Sequence, residues 1–301
     1  MTREDIEFKG EGDVTLRGWF YPARNATAPA PGIVVTHGMS GVKEMHLDDF
    51  AEVFAEAGLN VVAYDHHGFG DSDGLPRQEV DPVRQHRDVR NAISYLITRP
   101  EVDGSKIGVW GTSFAGGHAL MVAAIDKRVK AVVAQVPFIS GSRTLSWFIR
   151  PDFIAHTHHN LEGDRMHRFT GGDPTMLDVV TPDPMAPAMM GAPDAYEWFT
   201  KTGADRAPNW QNQVTARSFE MATEYEPGAF ISRISPTPLL MIVASEDTAA
   251  PTRFALDAYE EAREPKQLLV MPGGHFDAYT GASFDKCAAA ARDHFITHLA
   301  G

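Results

Sequence analysis

Lys106-Ile107-Gly108-Val109-Trp110 runs directly into Gly111-Thr112-Ser113-Phe114-Ala115-Gly116, and this junction restricts the fold more than any other stretch of the chain. An apolar run of strand length meets a turn built from small residues. A small-residue segment suited to a helix then follows, from about Ala115 to Ile125. A strand, a sharp bend and a helix packed back against the strand satisfy that order. Position 113 would then stand on the bend with its side chain exposed and the amino end of the helix beneath it. The last position departs from the usual Gly-x-Ser-x-Gly pattern, since Ala115 replaces glycine, with Gly116 and Gly117 just beyond. One methyl group is the mildest steric exception.

The strand–helix unit recurs. Gly32-Ile33-Val34-Val35-Thr36 and Asn60-Val61-Val62-Ala63-Tyr64 are runs of the buried-strand type. Helices are expected over 48–58, ending at Gly58, and over 82–98, where Val83, Val89, Ile93, Leu96 and Ile97 suit a helix. Further strands are expected at 129–136, at Leu239-Leu240-Met241-Ile242-Val243-Ala244 and at Lys266-Gln267-Leu268-Leu269-Val270-Met271. Helices are expected over 251–262 and 283–299. Two opening strands, 6–8 and 14–21, suit an antiparallel edge, and a surface loop follows at 22–31. Strands alternating with helices at this spacing predict an α/β fold, a largely parallel sheet covered on both faces.

That rhythm breaks at 137–227. The stretch contains Trp147, Phe148, His156, His158, His159, Met166, Phe169, Met189, Met190, Trp198 and Trp210, with Pro and Gly turns between helical segments. It is too apolar for a linker and reads as a helical cap over one end of the sheet. The organisation expected is therefore a core of 1–136 and 228–301 with a cap insertion of 137–227. A chain of 301 residues is long enough for both.

Composition narrows the partners. Lys and Arg total 27 against 40 Asp and Glu, a formal net charge of −13, so a nucleic-acid backbone or an anionic membrane would be repelled overall. No apolar run approaches the roughly 18 residues of a membrane span, and the first twenty residues lack the apolar stretch of a signal peptide. A cytoplasmic location is the default expectation, and a homodimer is compatible with the sequence. Cys287 is the one cysteine, which rules out an intrachain disulfide and a four-cysteine zinc site. Its helical setting reads as a buried small hydrophobe.

Ser113 is the candidate nucleophile. A serine hydroxyl needs a base, and His275 stands just after the final strand in Pro272-Gly273-Gly274-His275. Its near-neutral titration suits it to accept the serine proton and return it. Ala244-Ser245-Glu246-Asp247 supplies the orienting acid. Asp247 is preferred for its short side chain in a tight loop, with Glu246 the alternative. The oxyanion donors expected are the Phe114 N–H and the Met39 N–H, with the Ser40 N–H next in line. His37 reads as a buried organiser of that loop rather than a second base, and the Met39 side chain as part of the acyl pocket. His156, His158 and His159, with Asp152 and Asp164 nearby, read as cap surface or channel lining rather than a metal site. Gly68-Phe69-Gly70 lacks the three-glycine spacing of a dinucleotide loop.

His37-Gly38, Asp65-His66-His67-Gly68-Phe69-Gly70-Asp71-Ser72, the turn at Ser113, Asp247 and Gly274-His275 together resemble the α/β-hydrolase superfamily across practically the whole chain. More narrowly, the chain is similar to dienelactone-hydrolase-like and polyketide-cleaving serine hydrolases with a helical insert. That resemblance implies an eight-stranded, mostly parallel sheet, a triad of Ser113, Asp247 and His275, and no cofactor or metal. His67 stands where many relatives carry arginine, a change of packing rather than chemistry. Serine at 113 separates the chain from relatives with an aspartate nucleophile. The activity expected is hydrolysis of a small to medium carboxylic ester or lactone with an apolar or aromatic acyl group. Amide or peptide hydrolysis, C–C bond hydrolysis, acyl transfer and non-catalytic ligand binding are the competing readings.

Overall fold

The structure is a computed structural model that describes residues 3–26, 29–183, 185–192 and 194–300, apart from the side chain of Leu145. Strand β1 (Glu4–Lys9) turns into β2 (Thr15–Tyr21). Then β3 (Ala30–Thr36), α1 (Leu47–Glu56), β4 (Asn60–Tyr64), α2 (Pro82–Thr98), β5 (Val102–Thr112), α3 (Phe114–Ile125) and β6 (Val129–Gln135) alternate strictly. The following segment holds α4 (Gly141–Phe148), α5 (Ile154–Phe169), the short β7 (Met176–Leu177), α6 (Ala195–Arg206), the short β8 (Val214–Thr215) and α7 (Ala216–Thr223). The alternation resumes with β9 (Leu239–Ala244), α8 (Thr252–Glu261), β10 (Lys266–Met271) and α9 (Gly281–Leu299). Residues 27 and 28 of the expected 22–31 loop lie outside the described residues, and β3 already begins within it at Ala30.

Eight strands form one sheet in the order β1-β2-β4-β3-β5-β6-β9-β10. The β2 strand pairs antiparallel with β1 and β4, and the remaining pairings are parallel. Successive residues point to opposite faces, and both faces are buried. Ile33, Val35, Trp110 and Val133 pack against α1 and α9 through Phe50, Phe54 and Phe295. Val34, Val109 and Val132 pack the other way, with Val89, Ile93 and Leu96 of α2 and Leu120 of α3. Each fully buried aliphatic or aromatic side chain contributes about 1.5–3 kcal/mol of transfer free energy.

The helix ends follow from local chemistry. Asp81 caps α2, accepting from the Val83 and Arg84 N–H groups at 3.0 and 3.1 Å, and Pro82 occupies the first turn. Gly58 terminates α1 at φ 85°, where its N–H reaches the Ala55 carbonyl and the Leu59 N–H the Phe54 carbonyl. Val83 and Ile97 differ from expectation, being 46% and 38% exposed. The buried stripe of α2 runs through Val89, Ala92, Ile93 and Leu96, and Ile97 falls a further 100° around the helix.

The insertion between β6 and β9 is mainly helical but also carries an antiparallel β7–β8 pair that the sequence pattern did not show. Val179, Val180, Met189, Phe199 and Val214 are buried in the same cluster as Trp110 and Phe50. Polar contacts add to this seam. Arg206 of α6 forks onto Asp48 at 2.8 and 2.9 Å, and the Val80 N–H donates to Ser218 Oγ at 2.8 Å. By contrast α5 buries only Asp164, leaving Phe169 84% exposed. Because the central strands are parallel, the loops after β3, β5, β9 and β10 all emerge at one edge of the sheet, where ligands bind in open α/β sheets.

Candidate active site

Ser113 takes φ 57° and ψ −123°, a conformation a serine adopts only when its surroundings impose it. Its N–H donates to Gln135 O at 2.9 Å, and its carbonyl accepts from Gly116 N–H at 2.9 Å and Phe138 N–H at 2.8 Å. The turn is thus bolted to the end of β6. A Cβ at Gly111 would lie 2.0 Å from the Ala115 carbonyl oxygen, and one at Gly116 would lie 2.8 Å from Pro137 Cα. Those two positions require glycine, whereas the buried Ala115 shows that position 115 accepts a methyl.

His275 begins the 3-10 turn after β10 and is almost fully buried. Its Nε2 lies 2.9 Å from Ser113 Oγ, and its Nδ1 lies 2.7 Å from Asp247 Oδ2. The other Asp247 oxygen accepts from the Ala249 and Ala250 N–H groups at 2.9 and 2.6 Å, so the loop after β9 clamps the carboxylate. A carboxylate accepts, so His275 carries its proton on Nδ1 and presents a bare Nε2 to the serine hydroxyl. Glu246 points elsewhere: it is exposed, and its N–H is tied to Gly273 O.

The loop after β3 passes directly over the serine. A Cβ at Gly38 would come within 2.7 Å of Ser113 Cβ, so this close approach needs glycine. His37 Nε2 accepts from the His66 N–H at 3.1 Å, which places the ring proton on Nδ1, 3.0 Å from Gly38 O. The Gly41 N–H reaches the same oxygen at 3.2 Å. Gly38 C=O and Met39 N–H belong to one planar unit, so holding the oxygen turns the Met39 N–H to the opposite side. Burial pulls His37 down to about 4, and the ring stays neutral and in this tautomer at pH 7. Phe114 is the first residue of α3, and its N–H has no partner within the helix. Met39 lines the pocket beside Ser113, and Ser40 is buried outside that lining.

Two supports were not legible from residue types alone. His66 and His118 continue a row of buried rings from His37, at centroid separations of 4.4 and 5.6 Å, and burial holds both well below the ordinary histidine value. Lys43, five residues past Gly38, is 3% exposed and donates to Asp65 Oδ2 at 2.8 Å and Asp71 Oδ2 at 2.5 Å. Burial alone would depress its ammonium; the carboxylates of Asp65, Asp71 and Glu44 outweigh that and hold it above the ordinary lysine value. Asp65 and Asp71 belong to the Asp-x-x-Gly-x-Gly-Asp-Ser segment. That pattern marks the loop but not the lysine it serves.

A narrow pocket opens over Ser113 and His275. Met39, Met45, Phe276 and Tyr279 line it from the core, and Met190, Trp198 and Phe199 from the insertion. Among the described residues lining it, none is Asp, Glu, Lys or Arg. Of the aromatic and methionine residues singled out in the insertion, Met190 and Trp198 reach this pocket, while Trp147, Met166 and Phe169 are exposed. His156, His158 and His159 lie on the exposed side of α5, Asp152 pairs with Arg150, and Asp164 pairs with Arg168. Among the described residues, no group of three or more His, Cys, Asp or Glu side chains is placed to hold a metal ion. No helix of the described residues is long and apolar enough to cross a membrane.

Sheet order, nucleophile turn and loop placement define an α/β-hydrolase fold. A family model described as X-Pro dipeptidyl-peptidase (S15 family) matches residues 19–277, and the chain belongs to that family of hydrolases. It is 32% identical to a thiohydrolase of Eupenicillium brefeldianum, covering 94% of this chain and 90% of the relative. It is 30% identical to the polyketide transferase grgF of Penicillium sp, covering 92% of this chain and 90% of the relative. The solved structure of DcsB in complex with its substrate analogue superposes with a TM-score of 0.89 at 30% identity, over 100% of both chains.

Proposed function

We propose that this protein hydrolyses an ester-like bond of an apolar acyl substrate, a small to medium carboxylic ester or lactone, through an acyl-enzyme at Ser113. One observation carries the reading: Ser113 Oγ, His275 and Asp247 form a continuous hydrogen-bonded line at the floor of an uncharged, apolar pocket. His275 Nε2 takes the Ser113 proton as Oγ attacks the carbonyl carbon. Asp247 stabilises the imidazolium without itself becoming protonated. The negative charge on the carbonyl oxygen is received by the N–H groups of Phe114 and Met39, each donor supplying about 3 kcal/mol in such sites. His275 then hands the proton to the departing alcohol or thiol. Water resolves the acyl-enzyme by the same steps in reverse.

The pocket lining separates the competing readings. A peptidase that grips the amino terminus of its substrate needs a carboxylate there, and the described lining offers none. The thiohydrolase and the polyketide transferase among the relatives favour a second form of the same chemistry, in which the acyl group arrives as a thioester or leaves to a nucleophile other than water. The insertion acts as the cap that encloses the acyl group, and the site of action is cytoplasmic. A screen of p-nitrophenyl esters, lactones, acyl thioesters and aryl amides, run with wild type and Ser113→Ala, tests the proposal. Turnover of an apolar ester, lactone or thioester that vanishes in the variant supports it. Full activity in Ser113→Ala would overturn it.

A further inference from the structure

Among the described residues, two hydrogen bonds join the segment after β10 to the nucleophile turn. One is the working bond between Ser113 Oγ and His275 Nε2 at 2.9 Å, and the other links Thr112 Oγ1 to Tyr279 OH at 2.7 Å. Thr112 immediately precedes Ser113, and Tyr279 closes the 3-10 turn that His275 begins. Both side chains are buried. Gln135 holds the nucleophile end of this link: its carbonyl accepts the Ser113 N–H at 2.9 Å, and its Nε2 donates to Thr112 Oγ1 at 3.4 Å. The sheet gives His275 no such direct connection to Ser113. β10 is an edge strand and reaches β5 only through β9 and β6. Backbone bonds of its loop go to the acid loop instead, from Ser245 N–H to Met271 O and from Glu246 N–H to Gly273 O, both at 2.9 Å. They hold His275 against Asp247. Burial pushes the Tyr279 phenol well above its ordinary value, so it stays protonated and neutral beside Thr112.

The working bond is temporary. Once Ser113 Oγ carries the acyl group it has no proton to give, and His275 Nε2 turns to the water that resolves the acyl-enzyme. Through that interval the Thr112–Tyr279 bond is the one that still joins the base segment to the nucleophile turn. We infer that Tyr279 is a positioning residue for deacylation: its hydroxyl, bonded to Thr112, holds the His275 turn in register with Ser113 while the serine is acylated. This role rests on the proposed acyl-enzyme and assigns a residue to its second half. His275 Nε2 takes a proton from water as the water oxygen attacks the acyl carbonyl carbon. The bond from that carbon to Oγ then breaks, and His275 returns the proton to Oγ. A base displaced by about 1 Å costs such a step on the order of 100-fold, and loss of one neutral hydrogen bond accounts for about tenfold. Acylation is less exposed, because the Ser113–His275 bond itself aligns the pair at its start.

The test separates the two half-reactions with p-nitrophenyl butyrate. Rapid mixing reads acylation as the burst of nitrophenolate, and quenched intact-mass measurement reads deacylation as decay of the butyryl adduct. Tyr279→Phe keeps the ring and removes the hydroxyl. Its deacylation should slow about tenfold with acylation within about twofold. With deacylation limiting turnover, kcat and KM then fall together and kcat/KM holds. Rates are taken per burst equivalent, which counts folded active sites, so a poorly folding variant is still read. Thr112→Val should give the same defect, and the double variant should be no slower than either alone. A Tyr279→Phe enzyme in which both half-reactions slow equally, or neither slows, overturns the inference. So does a double variant whose losses multiply. Should wild type show no Ser113-dependent release of nitrophenolate, the acyl-enzyme reading fails and takes this role with it. Normal release with an unaltered deacylation rate in Tyr279→Phe sinks this role alone.

Discussion

Trp110 and Trp147 show how differently the two parts of the molecule are built. Trp110, on β5, is fully buried with its ring 4.4 Å from Phe50, and three residues later the chain turns at Ser113. Trp147, on α4 in the insertion, is 67% exposed. The central strands β3, β4 and β9 are buried at every position, and Asp247 follows the last of them, whereas His275 follows the half-exposed edge strand β10. The insertion is held along a seam (Val179, Val180, Phe199 and the Arg206–Asp48 fork), and much of the rest meets solvent. The catalytic residues all belong to the core. The pocket wall is shared between the two parts, with Met190, Trp198 and Phe199 reaching in from the insertion.

The contrast can be broken at several depths. The deepest cut is Asp247→Asn, which keeps the shape but disfavours the His275 tautomer; kcat on a turned-over ester should fall about 10⁴-fold with folding unchanged. Retention of activity within tenfold, by steady-state assay, would show that His275 is oriented otherwise. Next comes Lys43→Met. Removing the ammonium strands the buried Asp65 carboxylate, and urea unfolding should register a loss of about 3–5 kcal/mol. A loss below 1 kcal/mol would mean that the loop beside the serine does not depend on this pair.

Asp88 tests the core in the stabilising direction. Burial pushes its carboxyl up to about 7, and its Oδ2 has no partner. An acid whose folded value is raised binds protons more tightly in the folded state. Stability therefore falls as pH rises from about 4, the unfolded value, through about 7. Asp88→Asn keeps an oxygen for the Glu11 N–H and removes that decline. Its gain should be near zero at pH 4 and grow to about 4 kcal/mol above pH 7. A gain that does not change with pH would refute the linkage. The smallest effect is expected at Phe169→Ser in the insertion, within about 0.5 kcal/mol and with unchanged sedimentation. A clear drop in melting temperature there, or a change in mass, would mean that the exposed side of α5 is covered in solution.

Much of the core was legible because period and chemistry agreed. The β4, α2 and β10 bounds coincide with the runs read from the residues, and Ser113, Asp247 and His275 fall at the strand ends where the chain order put them. Their convergence is a property of parallel strands, which deliver separate loops to one edge. The insertion was legible only as an interruption. The β7–β8 pair is two residues long on each side, too short for any alternation to show. Lys43 was invisible for another reason. A lysine reads as surface unless its three-carboxylate surroundings are known, and those come from segments 22 and more residues away as well as from its neighbour Glu44. Arg77 reaches in to hold the carbonyls of Gly70 and Ser72 in the Asp65–Ser72 segment. Five residues beyond that segment, it carried no signal in the motif.

β6 and β9 are hydrogen-bonded neighbours in the sheet, so the whole insertion leaves and returns at adjacent strands. To the sheet it is one extended crossover. Lengthening such a connection adds only about 0.6 kcal/mol of closure entropy per doubling. This stretch can therefore change in length while the β6–β9 ladder, and with it the register of the Ser113 and Asp247 loops, stays as it is.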